Sequence, residues 1–110
     1  MEECVFCNIV NKTLPSQILY ENGEIIVIKD ILPQAPVHLL VISKQHLVSI
    51  NHLGTEHQSL VGEMVFVAKQ MAEKFGVSES GYKLMFNVGN DGGMVIPHLH
   101  LHLLGGKKMG

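Results

Sequence analysis

The 110-residue chain suits one domain, residues 1–110, and with 46% apolar and 16% charged residues it reads as a compact, rather apolar globular protein. A formal net charge of −2, with Lys107-Lys108 as the longest basic run, excludes a phosphate-neutralising nucleic-acid surface, although a small phosphorylated ligand needs only local donors. No apolar run approaches the ~18 residues of a membrane span, and the acidic start Met1-Glu2-Glu3-Cys4 is no signal peptide, so a cytoplasmic protein with no membrane partner is expected.

In chain order, Val5 to Lys12 reads as a short helix ended by Pro15. Ile18 to Glu21 and Ile25 to Lys29 read as paired strands, joined by Asn22-Gly23, two residues that tolerate positive φ in a hairpin turn. Pro33 and Pro36 bracket a loop that leads into a third strand, Val37 to Ser43. Thr55 followed by Gln58 has the spacing of a capping box. The helix it opens carries Leu60, Met64, Val67, Ala68, Met71 and Phe75 at helical spacing and is ended by Gly76. A second line, Val61, Val65 and Ala72, widens that stripe beyond what one sheet face needs, and oligomerisation is the usual way to hide such a surplus. Tyr82 to Asn87 and His98 to Leu104 read as the last two strands, the latter with Pro97 at its first position. Hairpin-linked strands with one long helix define an α+β protein with an antiparallel sheet.

The segment "PHLHLHLLGG", Pro97 to Gly106, holds three of the seven histidines. Alternation on a strand sends His98, His100 and His102 to one face and Leu99, Leu101 and Leu103 to the other. The leucine face is ordinary core, whereas adjacent imidazoles are costly to desolvate without partners. Three readings are open: a solvated face, a catalytic metal held by all three, or a nucleophilic imidazole whose second nitrogen is fixed by a backbone carbonyl. The only cysteines, Cys4 and Cys7, have the spacing of a zinc pair that needs two further ligands, or of a redox pair, or are simply buried free thiols.

"HLHLHLLGG" resembles the motif of the histidine triad (HIT) family, His-x-His-x-His followed by apolar residues. "DILPQAPVHLLVISKQH" (Asp30 to His46) resembles the family's substrate-loop and strand segment, and "NVGNDGG" (Asn87 to Gly93) its phosphate-side loop. The three blocks in this order resemble most the Hint-like branch, the purine nucleoside phosphoramidate hydrolases. That resemblance implies a HIT-like fold: a five-stranded antiparallel sheet with one long and one short helix, and a homodimer whose two sheets join into one of ten strands. It implies hydrolysis of a purine nucleoside 5′-phosphoramidate to the monophosphate and an amine through a covalent nucleotidyl-histidine. A dinucleoside polyphosphate hydrolase and a nucleotide-binding scaffold with incidental turnover are the alternatives.

By the same resemblance His100 is the nucleophile, His102 contacts phosphate oxygens and assists the leaving group, and His38 supports the network beside them. Asn87 binds the phosphate or leaving-group side, Asp30 holds the ribose hydroxyls, and Phe6, Ile9, Ile28, Ile31 and Leu40 surround the base, although any of the five could equally be plain core. Asp30 could likewise cap a turn before Pro33. Gly93, with its neighbouring glycines, lets backbone N–H groups approach phosphate oxygens. Some bacterial members hold a structural zinc with residues matching Cys4, Cys7, His46 and His98, which would leave no metal in the catalytic role. The match breaks before the triad: Met94 and Val95 stand where the branch usually has glutamine and serine, and neither supplies a strong donor.

Overall fold

A computed structural model describes residues 4–110; the acidic Met1 to Glu3 lies outside the described residues. The elements are α1 (Val5–Val10), β1 (Ile18–Glu21), β2 (Ile25–Lys29), β3 (Val37–Ser43), α2 (Gln58–Lys74), β4 (Tyr82–Met85) and β5 (His100–Gly105), with 3₁₀ turns at Ile50–His52 and Thr55–His57. The strands form one five-stranded antiparallel sheet in the order β1-β2-β3-β5-β4. This is the expected α+β architecture. Among the described residues no helix is long and apolar enough to cross a membrane.

Period-two alternation divides the sheet into two faces. Ile25 and Val27 of β2, Leu39 and Val41 of β3, and Leu101 and Leu103 of β5 join the buried stripe of α2: Leu60, Met64, Val67, Ala68, Met71 and Ala72. The intervening residues Ile26, Ile28, Leu40 and Ile42 meet Phe6 and Ile9 of α1. A seventeen-residue helix seals the first face, whereas the six residues of α1 cover only part of the second. His100 and His102 occupy the incompletely covered face. The surplus apolar line of α2 divides: Ala72 is core, Val65 is partly exposed, and neighbouring Phe66 is 67% exposed.

Several boundaries differ from expectation for local reasons. The first helix stops at Val10 rather than Lys12. The Asn11 N–H closes the last turn onto Cys7 and Ile9, and Lys12 adopts a left-handed φ of 66°, so Pro15 has no part in ending it. The β1–β2 connection has no positive φ at Asn22 or Gly23; the Asn22 carboxamide oxygen accepts the N–H groups of Glu24 and Ile25 at 2.8 and 2.9 Å. The expected Thr55–Gln58 capping box does not start the long helix: a 3₁₀ turn, Thr55–His57, precedes it and is capped at Gly54, whose N–H donates to His57 Nδ1 at 2.9 Å.

β4 ends at Met85, after which the chain leaves for the glycine loop instead of continuing to Asn87. β5 starts at His100, not His98. The His98 N–H is spent on the Ile96 carbonyl and the Leu99 N–H on that of Leu47, so Pro97 and His98 belong to a bend before the strand.

Candidate functional site

β3 and β5 are adjacent, and their register opposes His102 to Leu40 and His100 to Ile42. His38 is the second residue of β3, and its carbonyl accepts the Asp30 N–H at 3.0 Å, which brings Asp30, just past the end of β2, to the same place. His38 Nδ1 accepts the Gln34 backbone N–H at 3.1 Å, so the proton of neutral His38 resides on Nε2. His38 Nε2 faces His102 Nδ1 at 3.0 Å, with Asp30 Oδ2 at 3.4 Å. Donation from His38 puts the His102 proton on Nε2. His100 Nδ1 lies 2.6 Å from the His98 carbonyl, which can only accept; the ring must therefore donate from Nδ1 and keep its lone pair on Nε2. The two rings are adjacent, with centroids 5.0 Å apart. One thus presents a lone pair on Nε2 and the other an N–H.

Burial holds the His100 imidazole below the usual histidine range, against the opposing pull of the His98 carbonyl and the Asp30 charge. His102 is pushed down to about 4, first by burial and then by neighbouring His100 and His38. Both rings are accordingly neutral at pH 7, the state in which an imidazole can act as a nucleophile.

The other expected residues are distributed as follows. Phe6, Ile9, Ile28 and Leu40 share one cluster, and the Phe6 ring stands edge-on to His100 at 4.9 Å. Ile31 lies outside that cluster and is 88% exposed. Asp30 is both turn former and site residue: Oδ1 accepts the Leu32 N–H at 2.9 Å while Oδ2 faces His38. Asn87 donates to the Gly92 carbonyl at 2.8 Å and thereby ties the glycine loop to the end of β4. That loop needs its glycines: a Cβ on Gly92 would overlap the Val88 carbonyl, and Gly93 has φ of 77°. Among the described residues no hydrogen bond joins Asn87 to the histidines. Val95 is 87% exposed.

The first histidine of the triad belongs to a different constellation. His98 is fully buried, and its Nε2–H donates to the Ser43 carbonyl at 2.7 Å, which leaves Nδ1 as a lone pair. Nδ1 faces Cys4 Sγ at 3.2 Å, Cys7 Sγ at 3.6 Å and His46 Nδ1 at 3.2 Å; Cys7 Sγ is 3.1 Å from His46 Nδ1. All four ligand atoms lie within 4.8 Å of one another. Zinc–ligand bonds of about 2.0–2.3 Å imply tetrahedral edges of about 3.3–3.8 Å, so modest expansion admits the ion. Burial, then Cys4, pushes the Cys7 thiol up to about 11, so a cation would have to stabilise the thiolate.

Asp30, His38 and His102 also bring ligand atoms within 4.8 Å of one another. That set fits a metal poorly. His38 Nδ1 already accepts the Gln34 N–H, and offering Nε2 as well would require an imidazolate or the loss of that hydrogen bond.

Sequence reasoning expected a backbone carbonyl behind the nucleophile without assigning it to His98, and it missed Gln34 and Ser43; these three groups set the tautomers of His38, His98 and His100. Each acts through its backbone and leaves no residue signature. A faint signal exists only at Ser43, a polar residue closing an apolar strand and wholly buried in the structure.

Residues 3–110 match the family model described as "Scavenger mRNA decapping enzyme C-term binding". Protein HitA of Neisseria gonorrhoeae is 43% identical over 105 residues, 96% of this chain and 97% of that protein. A purine nucleoside phosphoramidase of Escherichia coli K12 is 38% identical over 109 residues, 99% of this chain and 92% of that protein. Among solved structures, a HIT family hydrolase from Legionella pneumophila superposes with a TM-score of 0.96 at 42% identity, covering 98% of this chain and 96% of that one. The chain belongs to the histidine triad (HIT) family. It is a hydrolase, with the antiparallel sheet and long helix of its structural relatives.

Proposed function

We propose that the protein hydrolyses purine nucleoside 5′-phosphoramidates through a covalent intermediate on His100. The observation that carries this reading is the 2.6 Å contact between His100 Nδ1 and the His98 carbonyl, which leaves the Nε2 lone pair to attack. Nε2 attacks the α-phosphorus, the P–N bond breaks, and the amine leaves with a proton taken from solvent, which hydrolysis of the intermediate returns. Water then adds to the phosphorus, the P–Nε2 bond breaks, and the nucleoside monophosphate is released. Two displacements through a neutral nucleophile replace one difficult displacement.

The other groups follow from their surroundings. His102 donates its Nε2–H to a phosphoryl oxygen and stabilises charge that grows there. Its low pKa makes it a hydrogen-bond donor in the free enzyme rather than a charged acid. His38 holds that tautomer. Asp30 accepts from the ribose hydroxyls, Phe6, Ile9, Ile28 and Leu40 wall the base, and Asn87 and Gly93 serve the phosphate side. Ile31 flanks the base from solvent. The 38% identity to a purine nucleoside phosphoramidase supports this substrate class.

Cys4, Cys7, His46 and His98 would hold a structural zinc, which crosslinks the chain start to the sheet and supplies no reaction step. A homodimer formed along the β4 edge would cover Phe66 and Val65 and extend the sheet to ten strands. We read the protein as cytoplasmic and its partners as small nucleotides. The test is hydrolysis of adenosine 5′-phosphoramidate. Release of AMP that persists after chelation, even at a reduced rate, and that His100→Ala abolishes supports the reading. AMP binding without turnover by the wild type would instead favour a nucleotide-binding scaffold.

A further inference from the structure

One residue belongs to both constellations. The His98 side chain faces the two cysteines and His46, while its backbone carbonyl holds His100 Nδ1. A second link runs through α1. Cys4 caps that helix, its sulfur accepting the Cys7 N–H at 3.3 Å, so the two cysteines bracket its first turn. Between them in sequence, Phe6 stands edge-on to His98 at 5.7 Å and to His100 at 4.9 Å. A six-residue helix is too short to be stable alone and must be held by its contacts. His98 itself lies in a bend outside the ladder of β5, so its carbonyl is not positioned by strand pairing.

We propose that the Cys4–Cys7–His46–His98 cluster, when it holds its metal, is a positioning device that clamps α1 against the nucleophile strand and thereby fixes both the His100 tautomer and the Phe6 wall of the nucleotide site. This rests on the zinc and nucleotide readings above and goes beyond them. A purely structural crosslink would raise thermal stability and leave kcat, nucleotide affinity and the His100 ring unchanged at temperatures well below unfolding. The clamp predicts that all three respond to metal loading, although no reaction step passes through the metal.

The experiment compares zinc-loaded protein, chelated protein and His46→Gln, all at 15 °C with circular dichroism to verify the fold. His46 is exposed, so its substitution leaves the core intact even if full chelation does not. Metal content, AMP affinity, ring 15N shifts of His100, and amide exchange across α1 are measured together. We expect one zinc per chain and a His100 proton fixed on Nδ1 in the loaded protein. Chelation should free the tautomer, expose the α1 amides, weaken AMP binding, and lower kcat by about 10- to 100-fold, the scale of an ångström-level misplacement. His46→Gln should weaken zinc binding and show the same changes at limiting zinc, reversed by excess zinc.

Failure is separable. If no zinc binds, the metal reading falls and the proposal with it. If zinc binds but the loaded protein does not bind AMP, the nucleotide reading falls, again taking the proposal. If both bind, and His100 shifts, AMP affinity and kcat are unmoved by chelation, the clamp alone is overturned.

Discussion

Two histidine clusters lie side by side on one face of the sheet, and they differ in what their backbone neighbours do with each ring. At His98 the Ser43 carbonyl accepts the Nε2–H and leaves a lone pair on Nδ1 facing two thiols and the His46 Nδ1. At His38 the Gln34 N–H takes the lone pair and leaves a proton, which passes the opposite requirement to His102. A ring with a free lone pair among soft ligands is ready for a metal; a ring whose lone pair is used becomes part of a hydrogen-bond chain. Identical side chains acquire different chemistry because one donor or acceptor beyond them differs.

The sharpest break of the comparison is His100→Ala. It should reduce phosphoramidate hydrolysis by about 10⁴-fold or more, the scale on which loss of a nucleophile operates, while the purified variant still binds AMP and one zinc. Next comes His38→Ala, which removes the group that fixes His102. A loss of about 10²- to 10³-fold in kcat is expected, comparable with loss of one donor to a developing charge, with metal content unchanged. A variant that lost zinc as well would merge the two clusters.

On the metal side, chelation or Cys7→Ser should lower Tm by about 10 °C or more, since a ligand bound only by the folded state is worth several kcal/mol and each shifts Tm by about 4–8 °C. An unchanged melting curve would argue against a bound structural ion.

A smaller effect concerns pH. His102 titrates at about 4 in the folded protein against 6.5 ordinarily. Between these values the unfolded chain binds a proton that the folded chain refuses, so stability rises with pH across this window and is lost as pH falls from 6.5 towards 4. Melting curves of His102→Asn should show a shallower acid dependence than the wild type. The smallest change is Val95→Ser at an exposed position: Tm should stay within about 2 °C, as surface substitutions usually do, and steady-state kinetics should show kcat raised by no more than about tenfold if the hydroxyl reaches the leaving group.

Much of this arrangement was legible in the chain. Short apolar runs bounded by turn residues located β2 and β3, His/Leu alternation located β5, and helical spacing located the core stripe of α2. The grouping of Cys4 and Cys7 with His46 and His98 followed from family resemblance, and the structure brings those four together. What was not legible depended on backbone partners. Pro97 lies in a bend because the next N–H groups bond outside the ladder. Asn22 makes its turn through its side chain, although its sequence also suited a positive-φ turn. Ile31 matches a base-pocket position by resemblance, and its 88% exposure beside the Asp30 turn was not legible from its apolar type. The free nitrogens of His38, His98 and His100 are chosen by Gln34, Ser43 and the His98 carbonyl, and a backbone group looks the same in every sequence.

The most direct measurement is rapid-quench mass spectrometry of the zinc-loaded protein mixed with adenosine 5′-phosphoramidate. The account predicts a transient adenylyl adduct on His100 that forms and decays at rates consistent with turnover and is absent in His100→Ala. Turnover by His100→Ala, or an adduct on another residue, would contradict it.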